Sequence, residues 1–127
     1  MSHPIVLLQA ALVAALRADG PTPVFDAPPQ GQAPPYMVIA RHDVLPRDGD
    51  GTPGHEHRVL VHVWAAVASR KSALAIAGRV VAVALALTSA SLRITLRRHD
   101  RTDTAINAET GRARAAVALT FFTEPTG

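Results

Sequence analysis

Two stretches in the last third of the chain alternate apolar and polar residues with a period of two. Ser91 to His99 sets Leu92, Ile94 and Leu96 against Arg93, Thr95 and Arg97. Arg112 to Thr123 sets Ala113, Ala115, Val117, Leu119 and Phe121 against Arg112, Arg114, Ala116 and Ala118. Successive side chains of a strand point to opposite faces, so this alternation predicts an antiparallel pair with one buried face. It puts Leu92, Ile94 and Leu96 in the core. It also gathers Arg93, Arg97, Arg112 and Arg114 on one outward face, a basic patch able to meet phosphates without reading sequence. Charged protection of a solvent-facing strand is the plainer use of the same residues.

The remaining elements follow from local signals. Leu8, Ala11, Leu12, Ala15 and Leu16 recur at helical spacing and predict a helix from Ile5 to Ala18. Asp19-Gly20-Pro21 stops it, with Gly20 suited to a left-handed cap. Val24 to Asp26 reads as a short strand. The prolines from Pro28 to Pro35 forbid helix and central strand alike, so they form an extended connector. It leads into a strand from Tyr36 to Arg41. Asp43 to Glu56 reads as a long exposed loop, and His57 to Val67 as a central strand. Val59, Val61 and Val63 face one side of that strand, with Arg58, Leu60, His62 and Trp64 on the other.

A second helix is expected from Arg70 to Leu87, with Ser69 as N-cap and Leu74, Ala77, Val81, Ala84 and Leu85 as its core stripe. Ala75, Gly78, Ala82 and Ala86 form a separate stripe of small residues. Such a stripe admits close backbone approach, either from the domain's own sheet or from a second subunit. Asp100 to Gly111 reads as a polar loop. The order α-β-β-β-α-β-β predicts one α+β domain over all 127 residues, a mainly antiparallel sheet with two helices on one face.

Chemistry finds little purchase. The chain has no cysteine, which excludes disulfides, thiol catalysis and Cys-based zinc sites. His55 and His57 would share a strand face while His62 points away, a poor three-ligand metal set. Asp48, Asp50 and Thr52 begin a calcium-loop pattern that Pro53 and Gly54 break. No serine sits in a nucleophile elbow, and no Gly-rich phosphate loop precedes a helix. The expectation is a non-enzyme without metal or cofactor. Met1 to Pro4 carries no basic segment ahead of its apolar run, and Arg79 interrupts the longest apolar stretch. Neither a secretory signal nor a membrane span is expected. Arginine dominates a formal net charge of +3, a small excess that a solvated surface accounts for.

Several segments taken in order resemble the phage tail-completion, or tail terminator, family. They are "PPQGQAPPYMVI", the acidic Gly-rich loop, "HRVLVHVW", the Ala-rich helix and "ARAAVALTFFTE". Pro29-Gln30-Gly31 with Pro35-Tyr36, and His62-Val63-Trp64, are the most specific parts. The resemblance covers nearly the whole chain. It implies a structural protein that forms a ring, a hexamer in this family, on the finished tail tube. The ring ends tube polymerisation, meets the head connector and lets DNA through its lumen without sequence recognition. It implies assembly in a host cytoplasm, then residence in a phage or gene transfer agent particle. On this reading Pro46, Asp48, Asp50, Thr102 and Asn107 lie in docking loops for the tube and connector. Arg93, Arg97, Arg112 and Arg114 line the lumen, and Ala75, Gly78 and Ala82 form a subunit contact. The competing readings are a stopper or adaptor of the same neck, and a small basic nucleic-acid-binding module. A small histidine-based metal-dependent enzyme is a third.

Overall fold

The computed structural model describes residues 3–47 and 53–126. Helix α1 spans Pro4–Asp19 and α2 spans Arg70–Leu85. Strands β1 (Val24–Phe25), β2 (Tyr36–Pro46), β3 (His55–Trp64), β4 (Leu92–Ile106) and β5 (Ala113–Pro125) form one sheet in the order β1-β2-β3-β5-β4. Only β1 runs parallel to its neighbour. The fold is α+β, with both helices on one face and the expected element order. No helix among the described residues is long and apolar enough to cross a membrane.

Helix α1 starts at His3, whose ring Nδ1 accepts from the Ile5 amide at 3.2 Å, with Pro4 in the first turn where its missing N–H costs nothing. It ends as expected at Gly20, though not by a left-handed cap. Gly20 has φ −176° and ψ −175°, the extended backbone that a following proline imposes. Leu8, Leu12 and Leu16 are fully buried against the sheet, each worth about 1.5–3 kcal/mol. The underside of the sheet supplies Met37, Ile39, Val59, Val61, Val63, Ala115, Val117, Leu119 and Phe121 to the same core.

Helix α2 begins at Ser69, whose hydroxyl accepts from the Ser72 amide at 3.2 Å. Its core stripe differs from the expected one. Ala73, Ala77, Val80 and Ala84 are buried, while Leu74 and Leu85 are 46% and 47% exposed. The helix is apolar nearly all round, so periodicity alone does not choose the buried side. Alanines on the inner side let α2 approach β4 and β5 closely. The small stripe Ala75, Gly78 and Ala82 faces solvent, and nothing lies within 4 Å of where a Gly78 side chain would begin. Packing on the domain's own sheet is therefore not its use.

The long loops are shorter than expected. Asp43 to Pro46 and His55 to Glu56 are strand, as are Asp100 to Ile106. Their polar residues occupy the ends of strands, where side chains reach water without leaving the ladder. Pro46 is tolerated because β1 covers β2 only at Met37 and Val38, leaving the edge beside Pro46 free. The connections shrink to residues 47–54 and 107–112.

Three bulges among the described residues set which side chains point where. One lies between Ile39 and Arg41, a second between Ile94 and Leu96, and a third between His99 and Arg101. Each inserts one residue and so reverses the alternation beyond it. Past the first, His42 turns to the helix side, opposite Val59. Past the second, Leu96 pairs with Phe122 on the open face and Arg97 pairs with Phe121 on the helix side. Leu96 is thus not a core residue of the helix-covered face, and Arg97 is not on the outward one.

Candidate interaction surface

Among the described residues, no helix or second sheet covers the face of the sheet away from the helices. Its central column is β3, which presents Arg58, Leu60, His62 and Trp64, as the period-two pattern anticipated, together with Glu56, which was expected in the preceding loop. β2 adds Tyr36, Val38, Arg41 and Asp43. β5 adds Arg114, Ala116, Ala118, Thr120 and Phe122, and β4 adds Arg93, Leu96, Arg98 and Arg101.

Most of the charge on this face is internally matched. Arg41 meets Asp43 at 2.7 Å, Arg58 meets Glu56 at 2.9 Å and Arg98 meets Asp100 at 2.7 Å. Arg93 reaches Glu124 at 3.4 Å, while Arg101 and Arg114 share Asp103 at 3.8 and 3.3 Å. Exposed pairs of this kind add little stability, about 0–1 kcal/mol each. Their effect is to neutralise the basic surface and to hold the side chains in defined places. Burial pushes the Asp100 carboxyl up, but hydrogen bonds from Thr120 and Arg98 outweigh it and leave its pKa below the usual value. Near the other end, burial pushes His62 down, helped by Arg114 and opposed by Asp103.

A shallow depression crosses the middle of the sheet between the Arg41, Arg58 and Arg98 side chains, floored by Leu60, Ala118 and Thr120. A second one, beside the connector, is lined by Pro28, Tyr36, Val38, His62 and Trp64. Arg47 lies over the Phe122 ring at 4.0 Å from its centroid. This arrangement suits contact with another protein surface.

The sequence-named residues disperse over the molecule. Arg93 and Arg114 do share the open face. Arg112 is exposed in the β4–β5 turn, outside both strands. Arg97 donates from Nε to the Leu87 carbonyl just beyond α2, where a cation also suits the helix dipole. The four do not form one patch. Thr102 lies within β4 and shares a 2.7 Å hydrogen bond with His99. Asn107 closes the β4–β5 turn, its side-chain oxygen accepting from the Glu109 and Thr110 amides at 2.9 and 3.0 Å. Pro46 ends β2, while Asp48 and Asp50 lie outside the described residues. Among the described residues no group of three or more His, Asp or Glu side chains is placed to hold a metal ion.

One feature of the opposite face escaped sequence reasoning. His42 and His57, from adjacent strands, are hydrogen-bonded ring to ring at 2.9 Å under the start of α1. Only the bulge at Ala40 brings His42 there, and no glycine or other local signal marks that bulge.

Comparison with known proteins adds the family. The family model for tail completion protein gp17 matches residues 6–124. No curated protein matches the chain. Among solved structures, a chain of the virion of a native gene transfer agent (GTA) particle superimposes with a TM-score of 0.82. The two are 24% identical over 97% of this chain and 99% of that one, which shows a shared fold.

Proposed function

Because the chain belongs to the tail completion protein gp17 family, a family of phage tail structural proteins, we propose that it forms a ring at the head-proximal end of the tail tube. The ring, a hexamer on this reading, ends tube polymerisation and joins the tail to the head connector, and DNA passes through it. The family match over nearly the whole chain carries the proposal. The likeness to a chain of a gene transfer agent particle supports a place in a virion of that kind.

The surfaces fit the role. A ring needs two different patches on each subunit that are complementary to one another, because head-to-tail contacts that close generate cyclic symmetry. The exposed stripe of Leu74, Ala75, Gly78, Ala82 and Leu85 on α2 is the subunit contact in this reading. The connections after β2 and after β4, at the strand ends, dock the neighbouring rings in this reading. Arg93 and Arg114, on the open face, remain the arginines suited to a lumen. Their pairing with Glu124 and Asp103 keeps that surface from gripping phosphate, which suits passage better than binding and weighs against a nucleic-acid-binding module. Electron microscopy of particles carrying a tagged copy tests the proposal. Density for a closed ring between tube and connector is expected. Tag density elsewhere, or tubes of normal length joined to heads when the gene is deleted, would refute it.

A further inference from the structure

Under the first turns of α1, four side chains form a hydrogen-bonded chain. Gln9 Oε1 faces His42 Nδ1 at 3.3 Å, His42 Nε2 faces His57 Nδ1 at 2.9 Å, and His57 Nε2 faces Thr123 Oγ1 at 2.8 Å. His57 and Thr123 are fully buried and His42 is half-buried. The chain links α1 to three strands, β2, β3 and β5.

The chemistry of the ends fixes the protons. An amide oxygen only accepts, so His42 carries its proton on Nδ1 and offers a lone pair at Nε2. His57 must then donate from Nδ1, and its Nε2 accepts from the Thr123 hydroxyl. Every bond is made with both imidazoles neutral. One added proton is also accommodated. His42 then donates from both nitrogens, His57 moves its proton to Nε2, and the Thr123 oxygen accepts. A second proton is not, because the Nε2–H of His42 would confront the Nδ1–H of His57.

A separate fastener sits at the same end of the helix, where the Nδ1 lone pair of His3 accepts from the Ile5 amide as the N-cap of α1.

We propose that these groups form an acid-sensitive latch, which holds the N-terminal half of α1 on the sheet when neutral and releases it when His42 and His57 are both protonated. The surroundings reinforce release. The His3 ring lies 5.7 Å from that of His55, and His55 lies 6.4 Å from His57, so the neighbouring rings disfavour a charge on His57. From β2 the one nearby carboxylate is Asp43, already engaged by Arg41. β5 brings only neutral Thr123, and β4 opposes that residue with Ile94. The far half of α1 is tied independently, by Arg17 to the Val24 carbonyl at 2.9 Å and by Asp19 to Arg79. Opening therefore starts at the histidine end. Burial holds both pKa values at about 4, against Asp43 for His42 and with the help of the neighbouring rings for His57, which sets the latch to trip in acid.

Amide hydrogen exchange on the full chain, corrected for intrinsic rates, tests the latch. Between about pH 7 and pH 4.5 the protection of α1 amides 8–12 should fall by roughly tenfold or more, with α2 amides 77–84 little changed. Unchanged α1 protection, or equal loss in both helices, overturns the proposal. The His42→Gln/His57→Gln double variant should lose most of the acid response, and retention of the full response also overturns it. Should that variant not fold, imidazole nitrogen resonances of the unmodified chain decide. Protonation of both rings must coincide with α1 opening, and protonation without opening refutes the latch.

Discussion

Gly54 is held between two strands where a side chain has no room. A Cβ there would lie 2.6 Å from the Arg47 carbonyl oxygen and 3.2 Å from that of Thr123, and neither backbone atom can swing aside. Its own carbonyl accepts from the Arg47 amide at 2.8 Å, closing the β2–β3 turn. Gly54→Ala should therefore destabilise the fold by about 1–3 kcal/mol. Urea unfolding should show the lower midpoint with an unchanged slope, whereas Gly20→Ala, with open space around it, should shift little. Arg97 gives a contrasting case. Arg97→Met keeps the stem but removes the donor to the Leu87 carbonyl, with an expected loss of about 1 kcal/mol by the same measurement. The sequence held enough to place Gly54 in a turn but not to show why glycine is needed, since the clash involves Thr123 from a distant strand. Arg97 and His42 were misplaced or missed for one reason. Side-chain parity carries from residue to residue only while the ladder is regular, and neither bulge has a sequence mark.

At the scale of elements, strong local patterns survived and ambiguous ones did not. β3 and β5 alternate without interruption because each is paired on both sides, and their inward and outward residues were legible. Both N-terminal helix boundaries were legible within a residue or two, because capping and proline act locally. The buried side of α2 was not. With Ala, Val and Leu around most of the helix, the sheet decides which side is inward, and it selected the side where alanines allow closest approach. The outward side keeps Leu74 and Leu85 in water. Leu74→Glu with Leu85→Glu should leave the stability of the isolated chain within about 0.5 kcal/mol, since neither side chain supports the core. On the ring proposal, the same pair should abolish assembly, read as loss of complementation in a deletion background. Normal complementation would move the subunit contact away from α2.

For the whole molecule, the family was legible from several short segments in order, although no single one of them defines a site. The histidines were legible as residues to weigh, but not as a network, because their meeting depends on tertiary register. That network governs how the fold as a whole responds to acid. His42 and His57 have folded pKa values of about 4 against an ordinary 6.5, lowered chiefly by burial. The unfolded chain therefore binds more protons than the folded one between those values, and stability falls as pH drops through that window. A shift of this size corresponds to roughly 3 kcal/mol per independent group, and less than twice that for a pair that repels. Asp19 and Asp100 act in the same direction at lower pH, their carboxyls being held below the usual value. For Asp19 the first cause is its hydrogen bond from Arg79. For Asp100 the hydrogen bonds from Thr120 and Arg98 prevail over burial. The stability curve should thus be flat near neutrality, decline from about pH 6.5 to 4, where the histidine contribution levels off, and keep falling below as the two carboxylates protonate. Urea midpoints across that range check the sequence of events. A plateau extending to pH 4 would mean that the two rings titrate at ordinary values, and that the 2.9 Å bond between them does not persist in solution.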